Sequence, residues 1–379
     1  MIRPFAIAAA AAVAACTAAR NPAPDAGFGP GALQLAGQFS IPPLTRLPPV
    51  VGLQFGGVSG LAPANLPGEY VAVCDERLGS RVYRMRLSGE GAAFRAEALA
   101  TIPLEVGGRA PSVDPEAIAV AAGGDMWIAS EGLATGPPRV PSVIARYTSS
   151  GAFVRQIELR ERFLPNPEGP ITRGLRGNAG LESLTITPGG RLFAATETAL
   201  AQDADPASFE RGTLARLLEF TADGDGFEPA REFVYPLDRI ETVPYEAGAI
   251  VKGVVELLAL GETEMLALER TYVEEAKSRG QGTNRAQLYR VSIEGATDVS
   301  SVDSLKEATD AVPVRKILVL DLSAVPGLDD DLAPSLDNFE GLAFGPRLAD
   351  GRQSLVLVSD DNFHEHQRTW FLLFGIGRP

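Results

Sequence analysis

A short pattern recurs five times along the chain and constrains the fold more than any other feature. Each copy is a strand-like run of mostly apolar residues, and four copies carry Glu at the second position, where the first copy has Ser59. The copies are Val58–Ala62, Pro115–Ala119, Leu181–Thr185, Val255–Ala259 and Phe339–Ala343. Self-similarity of this kind is the signature of a repeat architecture in which each unit packs on its neighbours.

A turn, a second strand and one or two acidic residues follow each copy. The second strands are Tyr70–Val73, Met126–Ala129, Leu192–Ala195, Met265–Leu268 and Leu355–Val358. A third strand then completes each unit, as at Arg81–Leu87 and Ala215–Phe220. Strand, tight turn, strand, loop and strand, repeated in this way, predict an all-β propeller whose blades are small antiparallel sheets. The spacing exceeds the roughly 40–50 residues of a compact blade, and we expect the excess in loops.

The ends of the chain indicate how the ring closes. The last repeat is followed by too few strands to complete a blade, whereas Leu33–Leu44 and Pro49–Phe55 are strand-like and unassigned. We therefore predict that the N-terminal strand joins the last blade and removes the exposed edge. This closure and a further strand at Ile317–Leu322, together with the family resemblance described below, predict a six-bladed β-propeller.

The repeated acids predict two rings of carboxylates around the channel. The glutamates of the repeat should line the innermost strands, and the acids at the ends of the second strands should form another ring. The first ring is Glu116, Glu182, Glu256 and Glu340; the second contains Glu131, Glu197, Glu269 and Asp360 or Asp361. Crowded carboxylates repel one another, and oxygen ligands without His or Cys clusters favour calcium. Alternatively, the repeat glutamates bond backbone amides and lock adjacent blades together.

Basic residues and histidines near these acids are further candidates. Arg77, Arg173, Arg176 and Arg270 accompany the acids, and arginine together with calcium would bind phosphate. Neutralisation of neighbouring acids is the other interpretation. The His364–His366 pair could bind metal, but its loop-like context favours a solvated pair. Cys74 lies in an apolar strand and is predicted to be a buried, inert thiol.

The N-terminus has the pattern of an export signal. Arg3 precedes the apolar run Phe5–Ala15, which is too short to span a bilayer and predicts a signal peptide over residues 1–15. The small residues before Cys16 resemble the bacterial lipobox, in which this cysteine is diacylated; residues 16–31 would then be a lipidated tether. Thr17 stands where an inner-membrane retention signal would carry Asp, which favours a periplasm-facing anchor in the outer membrane. An ordinary signal peptide with an incidental Cys16 is the alternative.

Composition excludes some function classes for the remaining domain, residues 32–379. The chain has 379 residues, a formal net charge of −14 and no dense stripe of Lys and Arg. Nucleic-acid binding is therefore not expected. We expect a monomer that meets the membrane only through its lipid anchor.

Several motifs together resemble a known family. They are Asn178–Leu184, Ala195–Leu200, Leu268–Arg270, Asn338–Leu342 and Ser359–Phe363, with Tyr235–Asp238 and Gln367–Thr369 in addition. In order and spacing they resemble the phytase-like family known as "esterase-like activity of phytase". The resemblance implies a six-bladed propeller with bound calcium, and a distant likeness to alkaline phytases, whose characteristic acidic motif is absent here.

Two functions follow from the sequence. In the first, calcium held by Glu197, Glu269, Asp360 and Asp361 serves a phosphoric-ester or carboxylic-ester hydrolase, with Arg173 and Arg270 orienting phosphate. Its ligand would be a small-molecule phosphoester. In the second, a non-enzymatic propeller binds a protein or another component of the cell envelope. The identity of the catalytic residues stays open.

Overall fold

The fold is described from a computed structural model covering residues 28–46, 53–77, 79–109, 111, 113–132, 138–278, 281–332 and 335–377. The predicted signal peptide, Cys16 and most of the predicted tether lie outside the described residues. Within them, no helix has the length and hydrophobicity needed to cross a bilayer.

The described residues form five four-stranded antiparallel sheets, each of them one blade. Strands are numbered in chain order. The first blade contains β2 (Val58–Pro63), β3 (Glu69–Cys74), β4 (Arg81–Ser88) and β5 (Arg95–Pro103). The second contains β6 (Pro115–Val120), β7 (Met126–Ser130), β8 (Val143–Tyr147) and β9 (Phe153–Ile157). The third contains β10 (Leu181–Ile186), β11 (Leu192–Thr196), β12 (Thr213–Asp223) and β13 (Gly226–Leu237).

The last two blades complete the ring. The fourth contains β14 (Ala247–Ala259), β15 (Glu264–Glu275), β16 (Gly282–Ser292) and β17 (Arg315–Asp321). The fifth contains β18 (Asn338–Gly345), β19 (Ser354–Asp360), β20 (Thr369–Ile376) and, as its outer strand, β1 (Leu33–Ile41). Each repeat is thus the innermost strand of a blade, and these strands neighbour one another around the channel.

The predicted β-propeller is confirmed, but the predicted number of six blades is wrong. The described chain contains one blade for each repeat, and the strand predicted at Ile317–Leu322 belongs to β17, which pairs with β16 at the edge of the fourth blade. The long spacing arises partly from long strands, since β14 and β15 have 13 and 12 residues. The sixth blade was predicted from ring closure, from this strand and from the family resemblance, and the strand belongs to the fourth blade instead.

The N-terminal strand closes the ring as the sequence predicts. Residues Leu33 to Ile41 pair antiparallel with Ile376 to Thr369, so that β1 covers the edge of β20. The second predicted segment, Pro49–Phe55, lies partly outside the described residues. Pairing the two ends of the domain in one sheet removes an exposed edge and fixes the ring.

Packing between blades explains why the second strands are apolar on both faces. All five residues of β7 and of β11 are buried, as are all seven of β19. Leu217 and Phe233 of the third blade, for example, share a core cluster with Leu257 and Ala267 of the fourth. This double-sided core holds the inner strands rigidly around the channel.

Candidate metal centre in the central channel

A β-bulge at the start of the inner strand positions the repeat glutamates. In the first, second, third and fifth blades, the strand register shifts at the second residue of the repeat, which is left without a partner. These residues are Ser59, Glu116, Glu182 and Glu340. A bulge re-aims a side chain out of the regular pleat, and the three glutamates line a cleft in the channel.

The fourth blade carries the same bulge one residue earlier in its repeat. Here Val254 pairs with Glu269 and Glu256 pairs with Leu268, so that Val255 is the unpaired residue. Glu256 is 1% exposed and accepts hydrogen bonds from the backbone N–H groups of Leu184 (3.2 Å) and Leu257 (2.9 Å). The prediction that Glu256 is equivalent to the other glutamates and lines the channel is therefore wrong. It links the inner strands of the third and fourth blades, as the backbone-bonding alternative proposes.

The bulge also decides which residues form the second ring. The residue opposite the start of each bulge is Cys74, Ser130, Thr196, Glu269 or Ser359. The next residue in each blade is therefore the equivalent one, and these are Asp75, Glu131, Glu197, Arg270 and Asp360. The second ring thus contains four carboxylates, with Arg270 in the place of the fifth.

Glu269 lies apart from this ring, on the side of β15 that faces the third blade. The hydroxyl of Tyr235 donates a hydrogen bond of 2.9 Å to its Oε1, and Lys316 Nζ lies 2.7 Å from the same oxygen. Lys252 Nζ lies 3.5 Å from Oε2. Its carboxylate is buried in an ion-paired interface between blades and does not line the channel cleft.

Asp361 is not among the residues that line the cleft, and it binds backbone groups next to the second ring. It is buried and accepts hydrogen bonds from the N–H groups of Gly57 (3.0 Å) and Phe363 (3.1 Å). Gly57 has a φ of +65°, and a Cβ there would lie 2.2 Å from Asp75 Oδ1. Asp361 therefore fixes a glycine turn that leaves room for the Asp75 carboxylate. Of the predicted pair, Asp360 is the residue that lines the cleft.

The channel cleft has a volume of about 530 Å³ and is lined mainly by carboxylates. These are Asp75, Glu76, Asp114, Glu116, Glu131, Glu182, Glu340 and Asp360. Arg77 and Arg270 are the cationic residues among the described lining, and Asn178, Asn338, Asn362 and Phe363 complete it. Negative charge thus exceeds positive charge by a wide margin when the acids are ionised.

Both arginines are already engaged with carboxylates. Arg270 Nη1 lies 2.9 Å from Glu340 Oε1, and its Nη2 lies 3.4 Å from Glu197 Oε1. The Nη1 group also donates to the side chain of Asn338. Arg77 Nε donates to Asp114 Oδ2 at 2.7 Å. Arg270 is 15% exposed and lies among the acids, whereas about half of the Arg77 side chain is exposed.

Two groups of carboxylates lie close enough to share cations. Oxygen atoms of Asp114, Glu116 and Glu131 lie within 4.8 Å of one another, and so do those of Glu131, Glu182 and Glu197. Glu131 belongs to both groups and stands between them. Glu197 Oε2 is buried and has no hydrogen-bond partner among the described residues. Anionic oxygens with no His or Cys among them fit a hard cation such as calcium.

Burial and mutual repulsion raise the pKa values of these acids. Burial, followed by the charge of Glu340, raises the pKa of Asp75 to about 7. Burial also raises the pKa of Glu197 to about 7, although Arg270 opposes the shift. Burial and the neighbouring acids raise the pKa values of Glu182 and Asp360 well above the ordinary range. Without a cation, several of these groups retain protons near neutral pH.

Other residues singled out by sequence lie elsewhere. Arg173 pairs with the exposed Glu161 at 3.1 Å, and Arg176 donates to the backbone oxygens of Ala199 and Ala204. His364 and His366 are exposed, in keeping with a solvated pair. Neither arginine and neither histidine lines the channel cleft.

Sequence reasoning missed Asp114 as a site residue and assigned no role to Asp75. Asp114 directly precedes β6, and its backbone oxygen accepts a hydrogen bond from the N–H of Glu131. The signal for Asp75 is its place after the apolar run of β3, since an acid follows the second strand in the second, third and fifth blades too. None of the other four repeats has an acidic residue at the position of Asp114, so the repeat pattern could not identify it.

Comparison with known proteins decides the family. A sequence profile for phytase-like proteins, described as esterase-like activity of phytase, matches residues 53–363. The chain belongs to this family. The match includes every residue of the phytase-like channel cleft, from Asp75 to Phe363. No curated protein sequence matches the chain.

Solved structures similar to this phytase-like chain are distant. A putative gluconolactonase is 10% identical, with a TM-score of 0.33, covering 93% of this chain and 99% of its own. A mannose phosphorylase from Leishmania mexicana, solved with a phosphate ion, is 12% identical, with a TM-score of 0.36 and coverages of 87% and 91%. The N-terminal domain of Nup159 is 11% identical, with a TM-score of 0.30 and coverages of 93% and 96%. Similarity at this level gives no information about the activity of this chain.

Proposed function

We propose that this protein is a calcium-dependent phosphoester hydrolase whose active site lies in the channel cleft. The observation that carries the proposal is the pair of carboxylate groups that share Glu131. They offer oxygen ligands from the second and third blades, with Asp114 in addition, inside a cleft large enough for a small substrate. Membership of the phytase-like family supports the same chemistry.

The residues present fit calcium. Glu116 and Asp114 would hold one cation and Glu182 and Glu197 another, with Glu131 bridging them. Calcium accepts six to eight oxygen ligands in irregular geometry, so that carboxylates from different blades can serve together. When bound, calcium would neutralise phosphate oxygens and lower the pKa of a coordinated water.

The two arginines would orient the phosphate group. Arg77 is half exposed, and Arg270 is less exposed, with its Nε lacking a hydrogen-bond partner among the described residues. A planar guanidinium can donate two parallel hydrogen bonds to phosphate oxygens. Arg270 therefore keeps its proposed role, and Arg77 takes the position that the sequence assigned to Arg173.

Asp75 is the proposed general base. It lines the cleft, and its Oδ1 is buried with no hydrogen-bond partner among the described residues, so the carboxylate is available to take a proton from water. Gly57, which has no Cβ, leaves the space that the Asp75 carboxylate occupies. Replacement by Asn would keep the shape and remove the base.

The experiment is a hydrolysis assay on a panel of phosphoesters and carboxylesters, with calcium and with chelator. We expect calcium-dependent release of phosphate and a loss of about a hundredfold or more in Asp75→Asn and Glu131→Gln. Glu228→Gln is the matched control, because Glu228 is exposed on β13 outside the cleft. Calcium binding without hydrolysis of any ester would contradict the enzyme and favour the binding propeller.

We also propose that the mature protein is anchored by a diacylated Cys16 in the outer membrane, facing the periplasm. The small residues before Cys16 support this. Mass spectrometry of the mature N-terminus tests it: a diacylated cysteine is expected, and an unmodified N-terminus beyond residue 16 would contradict it.

A further inference from the structure

A second cleft of about 580 Å³ lies between the third and fourth blades. Its lining includes Lys252 on β14, Thr271 on β15 and Arg239 in the segment after β13. The cleft is lined by none of the residues of the channel cleft. It has no part in the hydrolysis proposed above.

The pairing of β14 with β15 explains why two clefts lie side by side. Lys252 pairs with Thr271, and the next pair along the ladder is Gly253 with Arg270. Successive residues of a strand point to opposite faces. Arg270 therefore reaches the channel cleft, whereas Lys252 and Thr271 reach the second cleft on the other face of the same two strands.

Lys252 is an unusual group in this second cleft. It is 7% exposed and donates no hydrogen bond to any residue that the structure describes. Its nearest carboxylate oxygen is Glu269 Oε2, at 3.5 Å, and Glu269 is already bound by Lys316 and Tyr235 through its other oxygen. A buried ammonium without a hydrogen-bonded partner carries a cost that an anionic ligand would offset.

The surroundings of Lys252 add further free donors. Among the described residues, the Thr271 hydroxyl has no hydrogen-bond partner, and Arg239 has no carboxylate partner and donates only to the Phe209 oxygen at 3.3 Å. The lining acids Asp238 and Glu241 are mostly exposed, and Lys316 and Arg285 respectively neutralise them. The third lining acid, Glu210, is exposed and bonds the Ser208 hydroxyl. The cleft thus contains two cations without a hydrogen-bonded carboxylate partner, Lys252 and Arg239, and one hydroxyl without a partner.

We propose that this cleft binds a small hydroxylated anion, such as a sugar phosphate or a sugar acid. The oxyanion would contact Lys252 and Arg239, and a hydroxyl group of the ligand would contact Thr271. Charge-assisted hydrogen bonds of this kind are the strong ones, and a buried lysine surrounded by polar side chains is suited to them. Both kinds of ligand carry an anionic oxygen group on a polyhydroxylated carbon skeleton.

The test is calorimetric titration of the full chain in chelator with glucose 6-phosphate, glucuronate and uncharged glucose. Without a cation, the acidic channel repels anions, so binding reports on the second cleft. We expect an anionic probe to bind more tightly than glucose. Preference for glucose 6-phosphate or for glucuronate would identify the oxyanion.

Two variants assign the binding to this cleft. Lys252→Met should weaken it by about tenfold or more, since a hydrogen bond to a charged group is lost. Arg239→Gln, at an exposed position that cannot threaten folding, should weaken it several-fold. Lys277→Gln is the matched control, because Lys277 is 81% exposed and outside the cleft. Absence of binding, equal binding of glucose, or unchanged affinity in folded Lys252→Met and in Arg239→Gln would overturn the proposal.

Discussion

At the scale of single residues, Arg270 decides the charge balance of the channel. It takes the place that an acid holds in each of the other blades, and it contacts Glu340 and Glu197 directly. Sequence reasoning identified Arg270 but expected Glu269, its neighbour, to be the ligand. The two face opposite sides of one strand, so a change of one position exchanges a channel residue for an interface residue.

Replacing Arg270 with Gln should destabilise the cation-free protein by about 3–5 kcal/mol, because buried carboxylates lose their partner. Calcium should restore much of this loss. Thermal melting in chelator and in calcium measures both effects, with the exposed Arg347→Gln as the control. An equal melting temperature of Arg270→Gln and wild type in chelator would contradict the assigned role.

Gly253 provides the space that Glu197 occupies. A Cβ at this position would lie 2.2 Å from Glu197 Cγ. Gly253→Ala should therefore displace Glu197, cost about 1–3 kcal/mol and reduce stabilisation by calcium. Gly123→Ala is the control, since nothing lies within 4 Å of a Cβ there. Calorimetric unfolding with and without calcium measures the difference, and identical behaviour of the two variants would contradict the packing.

At the scale of elements, the bulge in the inner strand separates site residues from structural ones. Four blades place it at the second residue of the repeat, whereas the fourth blade places it at Val255. The sequence predicted the strands, their order and the acids at their ends. It could not predict the register of the hairpin of β14 and β15. A bulge depends on pairing between strands, and the pattern of apolar residues does not show where it lies. Glu256 consequently matches the repeat in sequence but not in space.

This difference predicts opposite behaviour of two similar substitutions. Glu182→Gln should weaken stabilisation by calcium, because Glu182 belongs to the carboxylate group with Glu131 and Glu197. Glu256→Gln should leave it nearly unchanged, because Glu256 belongs to neither carboxylate group. The amide oxygen of Gln can also accept the backbone hydrogen bonds that Glu256 Oε1 accepts from Leu184 and Leu257. For wild type, an excess of calcium a hundredfold over Kd should add about 2.7 kcal/mol. Melting temperatures at several calcium concentrations test both variants, and a weakened response in Glu256→Gln would contradict the assignment.

At the scale of the whole molecule, five blades arise from five visible repeats, and the sequence was sufficient for that number. The sixth blade came from the predicted ring closure, the strand at residues 317–322 and the family resemblance, but this strand is the outer strand of the fourth blade. The long spacing was expected to lie in loops, and the long strands β12 to β16 account for part of it. A strand-like run does not show by itself whether it ends one blade or belongs to another.

The crowded channel predicts an unusual pH dependence. The pKa values of Asp75 and Glu197 in the folded protein are raised to about 7, above their values in the unfolded chain. The folded state therefore binds more protons, and the stability of the cation-free protein should fall as pH rises from about 4 through 7. Saturating calcium should reduce this loss of stability with pH, because calcium then neutralises the carboxylates in place of protons. Thermal melting across this range, with and without calcium, measures it; stability rising with pH in metal-free protein would contradict the prediction.

The pairing of β1 with β20 has a consequence for how the chain folds. Residues 33–41 pair with residues 369–376, so the ring cannot close until nearly the whole domain has been synthesised. The four internal blades consist of consecutive strands and can form locally, whereas the fifth needs both ends of the domain. Contacts so far apart in sequence form slowly. Completion of the fifth blade should therefore be the late kinetic step, after the other blades have assembled in order along the chain.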